Sequence, residues 1–217
     1  MKKYTQLPLD FPKVISFGRD NFFVNNSNAL AVKLIEKFPH WNYFAQLIYG
    51  ESGCGKTHLS RILGELTDDI TFINGKDLAS STVPQTKTVV VDNMQNANQE
   101  ALFHLYNMMK DRGFLLLTAE HPVNRMNFTL PDLTSRLMTV PAIEILPPDD
   151  SLIMAFLIKN FDDLGLDIST ESLQFLLKNT ERSYSAIKKL VERADFLSRS
   201  EKRKLTIPLL KDALGQS

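Results

Sequence analysis

The segment GESGCGKT, residues 50–57, has the residue types and the spacing of a phosphate-binding loop. Its glycines permit a tight turn whose backbone N–H groups converge on phosphate oxygens, and a following helix adds the partial positive charge of its N-terminus. Lys56 can reach the β- and γ-phosphates, and Thr57 can ligate Mg²⁺. The alternative is an ordinary glycine-rich turn with Cys54 as a small residue. The pattern predicts nucleotide binding by Gly50, Ser52, Gly53, Cys54, Gly55, Lys56, Thr57 and His58.

A second candidate group follows the β-branched run VVVDN. A buried strand that ends in Asp92 places a carboxylate beside the loop, where it can hold Mg²⁺ through water. The alternative is an aspartate that caps a turn. P-loop ATPases that hydrolyse ATP well usually carry a second acid at the next position. Asn93 occupies that position and cannot accept a proton, so we expect weak intrinsic hydrolysis or a protein that mainly holds nucleotide.

Two further candidates lie downstream. In LLLTAEHP, a strand ending in Thr118 and Glu120 can lie near the γ-phosphate and sense it, although a solvent-facing strand end would look the same. In LPDLTSRL, Arg136 follows that strand by one short segment. Ring and filament ATPases place an arginine finger here, which enters a neighbour's site and stabilises charge on the transferring phosphate. The alternative for Arg136 is a surface salt bridge.

Hydrophobic periodicity predicts the elements that position these groups. Short apolar runs indicate buried strands, and longer runs with helical spacing indicate helices. Strands are predicted over residues 44–50, 70–75, 86–93, 114–120 and 138–147, and helices over 29–38, 57–66 and 98–113. This alternation predicts an α/β domain with a parallel sheet and helices on both faces.

The chain changes character after the double proline of LPPDD, residues 146–150. Only helices are predicted beyond it, in segments 151–166, 169–180, 183–200 and 206–215. We therefore divide the chain into a tail (residues 1–12), an α/β nucleotide-binding domain (13–147) and a small all-helical domain (148–217).

Composition narrows the functional classes. The 217 residues include 25 Lys plus Arg and 25 Asp plus Glu, whereas a dedicated nucleic-acid-binding protein usually has a basic excess. The single cysteine excludes an internal disulfide and fits a reducing compartment. No apolar run resembles a signal peptide or a membrane span, so we expect a cytoplasmic protein that makes no membrane contact.

The tail contains QLPLDF, residues 6–11, which places three apolar side chains on a polar segment. Either these side chains fold back onto the protein, or they enter the pocket of a partner. Pro8 restricts the free tail and lowers the entropy cost of ordering it in such a pocket.

Together these motifs resemble the AAA+ family and, within it, the DnaA-related regulatory inactivators of DnaA, the Hda family. The resemblance covers nearly the whole chain. DNFFVNNSNALA (20–31) resembles the stretch that lines the adenine pocket, which implies roles for Phe23 and Val24. VVVDNMQ carries the Asp-Asn pair of the inactivators, and RKLTIPLLKDAL (203–214) resembles their C-terminal helix. The family's sensor residue falls on Glu120 and its arginine finger on Arg136.

The resemblance also implies ligands and partners: ATP or ADP with Mg²⁺ held by Thr57 and Asp92, the initiator DnaA, and association with further copies. Gln6, Leu7, Leu9 and Phe11 match the motif that binds the DNA polymerase III β sliding clamp. The sensor II arginine of the lid falls on Ser185, and Arg182, one helical turn earlier, is the candidate substitute. Initiators continue into a helix-turn-helix domain that is not expected here, so DNA would be reached only through the clamp.

The sequence therefore predicts an AAA+ P-loop protein with a helical lid, which binds the clamp and supplies Arg136 to hydrolysis of ATP on DnaA. The alternative is a self-acting ATPase, such as a helicase-loader-like replication protein. That alternative needs a competent second acid, against which Asn93 argues, and ATP turnover by the isolated protein separates the two. A small-molecule kinase would need a cluster of lid arginines, and a plain DNA-binding regulator is disfavoured by the zero net charge.

Overall fold

A computed structural model describes residues 13–17, 20–81 and 84–215, with side chains described from residue 24 onward except within the gap at 82–83. The predicted clamp-binding residues Gln6, Leu7, Leu9 and Phe11 lie outside the described residues, as does the side chain of Phe23. The chain divides into two compact units, an α/β unit consisting mainly of Asn26–Leu146 and a mainly helical unit that comprises the described residues from Pro147 onward together with residues 13–15 and Phe23–Asn25.

Seven strands are formed by the described residues. Two short ones, β1 (Lys13–Phe17) and β2 (Asp20–Val24), pair with each other. The other five are β3 (Ala45–Tyr49), β4 (Ile70–Asn74), β5 (Thr88–Asp92), β6 (Phe114–Ala119) and β7 (Ala142–Glu144). They form a parallel sheet in the order β4-β5-β6-β3-β7, so polar residues at their carboxyl ends gather along one edge.

The middle strands of this sheet are buried along their length. Val89, Val90 and Val91 of β5 are fully inaccessible, as are Leu115–Leu117 of β6. A strand covered by helices on both faces reads as a continuous apolar run, which explains why the sequence predicted these two strands well.

Four helices accompany the sheet: α1 (Ala29–Glu36), α2 (Lys56–Glu65), α3 (Gln99–Lys110) and α4 (Pro131–Leu137). Helix α3 begins at Asn98, whose side chain accepts a hydrogen bond from the backbone N–H of Ala101. Helix α4 was not among the helices predicted from the sequence. Gln99 fixes the segment that leads into α4, because its side-chain oxygen accepts hydrogen bonds from the backbone N–H groups of Thr129 and Leu130 at 2.8 and 2.9 Å.

The helical unit contains α5 (Asp150–Asp163), α6 (Thr170–Asn179), α7 (Tyr184–Glu201) and α8 (Ile207–Leu214). The side chains of Asp149, Ser169 and Ser183 cap the first three of these helices by accepting backbone N–H groups. Leu157, Phe161, Leu176, Ile187 and Leu209 form part of a separate apolar core. Among the described residues, no helix has the length and apolarity needed to cross a bilayer.

The turns that follow β4 and β5 pack closely against each other at Gly75. A Cβ atom at Gly75 would lie 2.3 Å from the backbone oxygen of Asn93, so this position accepts only glycine without rearrangement. The contact supports Asn93, which is in the left-handed region at φ 56° and ψ 54°.

We expect Gly75→Ala to lower the free energy of unfolding by about 1–3 kcal/mol, because the added methyl group meets backbone atoms that cannot move independently. Gly64→Ala is the matched control, since its Cβ would meet only the tip of the half-exposed Phe72 ring, at 2.8 Å. Urea denaturation of both variants measures the difference. Equal midpoints for Gly75→Ala and the wild type would show that the two turns are not packed as described.

Candidate functional site

The predicted phosphate-binding loop lies between the end of β3 and the start of α2. Gly53 and Gly55 have left-handed φ values of 83° and 99°, which residues with a Cβ atom rarely adopt. Gly50 is required for a different reason, because a Cβ there would lie 2.7 Å from the backbone oxygen of Ile145. The glycine spacing of the motif thus matches specific backbone requirements of the loop.

Lys56 is a buried cation at the base of the loop. The residue is only 6% exposed, and its Nζ atom donates hydrogen bonds to the backbone oxygens of Gly50 and Glu51 at 2.8 and 2.9 Å. No salt bridge in the described part of the chain involves Lys56. A buried ammonium held by neutral carbonyl groups is well suited to an anionic ligand, because a phosphate would compensate its charge.

Cys54 has the structural role expected for a small loop residue. It is 2% exposed, and burial raises the pKa of its thiol. A thiol that stays protonated is a poor nucleophile, so the described environment does not activate this cysteine.

The carboxylate of Asp92 joins the loop to the strand ends. Its Oδ2 atom accepts a hydrogen bond from the Thr57 hydroxyl at 2.9 Å, and its Oδ1 atom accepts one from the hydroxyl of Thr118. The Thr118 oxygen in turn accepts the backbone N–H of Asn93 at 3.0 Å. Of the two polar residues predicted at the end of β6, Thr118 is therefore the one that contacts Asp92.

The loop borders a cavity of about 280 Å³. Its lining residues are Ser52, Gly53, Gly55, Lys56, Thr57, His58, Asn93 and Glu120. Most of the predicted nucleotide-binding residues thus surround one cavity, together with the exposed Glu120 from the end of β6. Asn93 offers an amide here, which can donate and accept hydrogen bonds but cannot act as a general base.

Thr57 and Asp92 present adjacent oxygen atoms, which are the ligand type that Mg²⁺ prefers. The described residues contain no group of three or more His, Cys, Asp or Glu side chains suited to a metal ion. Mg²⁺ commonly takes one or two protein ligands and completes its shell with phosphate oxygens and water. The donor set therefore fits Mg²⁺ bound together with a phosphorylated ligand.

Arg136 lies in the last turn of α4 and does not line this cavity. Its guanidinium carbon is 5.1 Å from the centre of the Phe103 ring on α3, and the residue is half-buried. None of the salt bridges found among the described residues involves Arg136. The aromatic ring attracts the cation, and an arginine guanidinium carries planar N–H donors that can bind an anion in a bidentate way. Phe103 was not among the site residues predicted from the sequence.

The lid residues differ in one respect from the sequence interpretation. Arg182 does not lie one helical turn before Ser185, because α7 begins only at Tyr184 and Ser183 is its N-cap. Arg182 precedes the helix, and its guanidinium contacts Asp150 at 2.8 Å in an exposed salt bridge. Val24, predicted to contact the base, is half-buried at the end of β2.

Comparison with known sequences identifies relatives of the chain. A sequence model described as "Hda, lid domain" matches residues 149–214. The chromosomal replication initiator protein DnaA of Buchnera aphidicola is 28% identical over 86% of this chain and 48% of its own length, so the chain spans about half of that relative. An uncharacterized protein of Haemophilus influenzae is 26% identical over 97% of this chain and 98% of its own length.

Solved structures share the architecture. Domain III of the Thermotoga maritima replication initiation protein DnaA has a TM-score of 0.76 and 17% identity, over 89% of this chain and 93% of that chain. AMPPCP-bound DnaA from Aquifex aeolicus has a TM-score of 0.67 and 20% identity, over 83% of this chain and 67% of that chain. The Thermotoga maritima RuvB Holliday junction branch migration motor has a TM-score of 0.67 and 16% identity, over 88% of this chain and 68% of that chain. The predicted fold class, an AAA+ α/β domain followed by a helical lid, is confirmed.

We expect Lys56→Ala to weaken adenine-nucleotide binding by about 10- to 100-fold, since a charge-assisted hydrogen bond contributes roughly 1.5–3 kcal/mol. Lys76→Ala is the matched control, because Lys76 is an exposed lysine that does not line the cavity. Titration of each variant with a fluorescent adenine nucleotide measures the dissociation constant. Equal affinity of Lys56→Ala and Lys76→Ala would contradict the assignment of this cavity.

Proposed function

Because the chain is a DnaA-related AAA+ protein with an Hda-type lid, we propose that it is a regulator of replication initiation that promotes ATP hydrolysis on the initiator DnaA. In this proposal the protein binds the DNA polymerase sliding clamp through its tail, and it offers Arg136 to the nucleotide of DnaA. Hydrolysis then leaves DnaA inactive and prevents a second round of initiation.

The observation that carries the proposal is the environment of Arg136. The guanidinium lies over the ring of Phe103, and Arg136 is not among the residues that line the cavity of its own loop. A cation–π contact holds an arginine without supplying the carboxylate or carbonyl acceptors that would occupy its N–H groups. Such a side chain can bind a phosphate that belongs to another molecule, and it would stabilise the negative charge that develops on that phosphate during transfer.

The protein's own nucleotide has a structural role in this proposal. Lys56 and the loop N–H groups would hold the phosphates of ATP or ADP, and Thr57 and Asp92 would hold Mg²⁺. Mg²⁺ neutralises phosphate charge when it is bound. Asn93, in the place of a second acid, supports slow hydrolysis at this site, because an amide cannot remove a proton from the attacking water.

The tail supports the choice of the clamp as partner. An extended QLPLDF segment would place Leu9 and Phe11 in an apolar pocket and let Gln6 form a hydrogen bond at the far end. DNA would then be approached only through the clamp that encircles it, in keeping with the zero net charge of the chain.

We expect Arg136→Ala to abolish the stimulation of DnaA ATP hydrolysis, since removal of an arginine finger typically costs 10³–10⁵ in rate. Arg136→Lys should restore only part of the effect, because lysine lacks the planar fork. The measurement is ATP turnover by DnaA in the presence of DNA-loaded clamp. Arg125→Ala is the control, as Arg125 is an exposed arginine of the same unit. An unaltered rate with Arg136→Ala would exclude the finger assignment.

We also expect the triple replacement of Gln6, Leu9 and Phe11 by alanine to abolish retention on immobilised clamp and to leave nucleotide affinity unchanged. The apolar side chains supply the burial that drives such binding, and they are remote in sequence from the loop. Replacement of Lys2 and Lys3 by alanine is the control for a non-specific charge effect. Full retention of the triple variant would show that the tail is not the clamp-binding segment.

A further inference from the structure

Three hydroxyl groups form a chain that ends at the backbone of Arg136. The phenol oxygens of Tyr106 and Tyr43 are 2.9 Å apart, and the Tyr43 oxygen is 3.4 Å from Oγ1 of Thr139. The Thr139 hydroxyl donates to the backbone oxygen of Arg136 at 2.7 Å. This series of hydrogen-bonded hydroxyls therefore links α3, the segment before β3, and the end of α4.

The proton positions along this chain follow from its last bond. Since Thr139 donates its only hydroxyl proton to the Arg136 carbonyl, its oxygen can only accept from Tyr43. Tyr43 then accepts from Tyr106. Burial and the bond to Tyr43 raise the pKa of Tyr106 to about 12, so this first donor keeps its proton throughout the physiological range. All three hydroxyls thus donate in the same direction, toward the Arg136 carbonyl, and the Tyr43–Thr139 bond is the longest of the three at 3.4 Å.

Arg136 is consequently held at both ends. Its carbonyl accepts from the Thr139 hydroxyl and also from the Thr139 backbone N–H, at 3.1 Å. Its guanidinium rests on the ring of Phe103, which lies one helical turn before Tyr106 on α3. Helix α4 has only seven residues and little stability of its own, so contacts from neighbouring elements must fix the direction of its last turn.

We propose that Tyr43 and Thr139 are positioning residues for Arg136, which hold the end of α4 at the angle at which the guanidinium is presented to a partner's nucleotide. The inference rests on the proposed function of Arg136. Neither side chain would touch the reacting phosphate. Their hydroxyls act through the backbone of the arginine, so their loss lowers the rate of the stimulated reaction more than it weakens the encounter of the two proteins.

The test compares variants that remove one hydroxyl and keep the shape of the side chain. Tyr43→Phe and Thr139→Val should lower the maximal rate of stimulated DnaA ATP hydrolysis about five- to tenfold, the effect of one lost hydrogen bond. The concentration of this protein that gives half-maximal stimulation should stay within about twofold. Thr139→Ser retains the hydroxyl and should restore the wild-type rate. Tyr49→Phe is the matched control, since the Tyr49 hydroxyl contacts Glu144 instead.

A second measurement needs no partner. In protein labelled with ¹⁵N-arginine, the Nε–H signal of Arg136 is identified by its loss in Arg136→Ala, and its heteronuclear NOE reports side-chain motion. We expect the NOE to fall in Tyr43→Phe and Thr139→Val and to be kept in Thr139→Ser and Tyr49→Phe. An unchanged NOE, or an unchanged maximal rate, in both hydroxyl-deleted variants would overturn the positioning role. If the wild-type protein failed to stimulate DnaA, the proposed function would fail, and the NOE alone would decide whether Arg136 is positioned in this way.

Discussion

The arrangement of the site depends on the carboxylate of Asp92. One of its oxygens accepts the Thr57 hydroxyl from α2, and the other accepts the Thr118 hydroxyl from β6, so one side chain on β5 links three elements. Without this acceptor the hydroxyl of the buried Thr118 would lose a hydrogen bond, which is costly, whereas the exposed Thr57 hydroxyl could bond to water. The phosphate-binding loop is thereby tied to the carboxyl ends of the strands, where a parallel sheet gathers its polar groups.

The central part of the fold could be predicted from the sequence because burial on both faces leaves a strong signal. The predicted strands at 86–93 and 114–120 are observed as Thr88–Asp92 and Phe114–Ala119. Helix α4 gave no comparable signal, since its seven residues cover barely two turns and Pro131 at its start is the main indication of a helix. The paired strands β1 and β2 have five residues each and were also missed.

Only the site residues that belong to contiguous sequence motifs could be predicted. The loop residues form one cavity with Asn93 and Glu120, as their positions at the ends of neighbouring strands suggested. The sequence did not distinguish Thr118 from Glu120, because residues two apart in a strand share a face; the end of β6 at Ala119 separates them, and only Thr118 contacts Asp92. Phe103 and Tyr43 were missed for a related reason, as they meet α4 only after the chain has folded. Arg182 was placed on the helix in error, because Ser183 is the N-cap of α7 and the helix begins only at Tyr184.

The burial of Cys54 has a consequence for the chemical durability of the loop. A protonated, inaccessible sulfur reacts slowly with peroxide or alkylating agents, so oxidants spare the loop while it is folded. Reaction requires the turn around Gly50 to open, since the sulfur lies 3.0 Å from the place that a Cβ atom of that glycine would occupy. The thiol is therefore a natural probe of local unfolding, whose modification rate reports how often the loop opens.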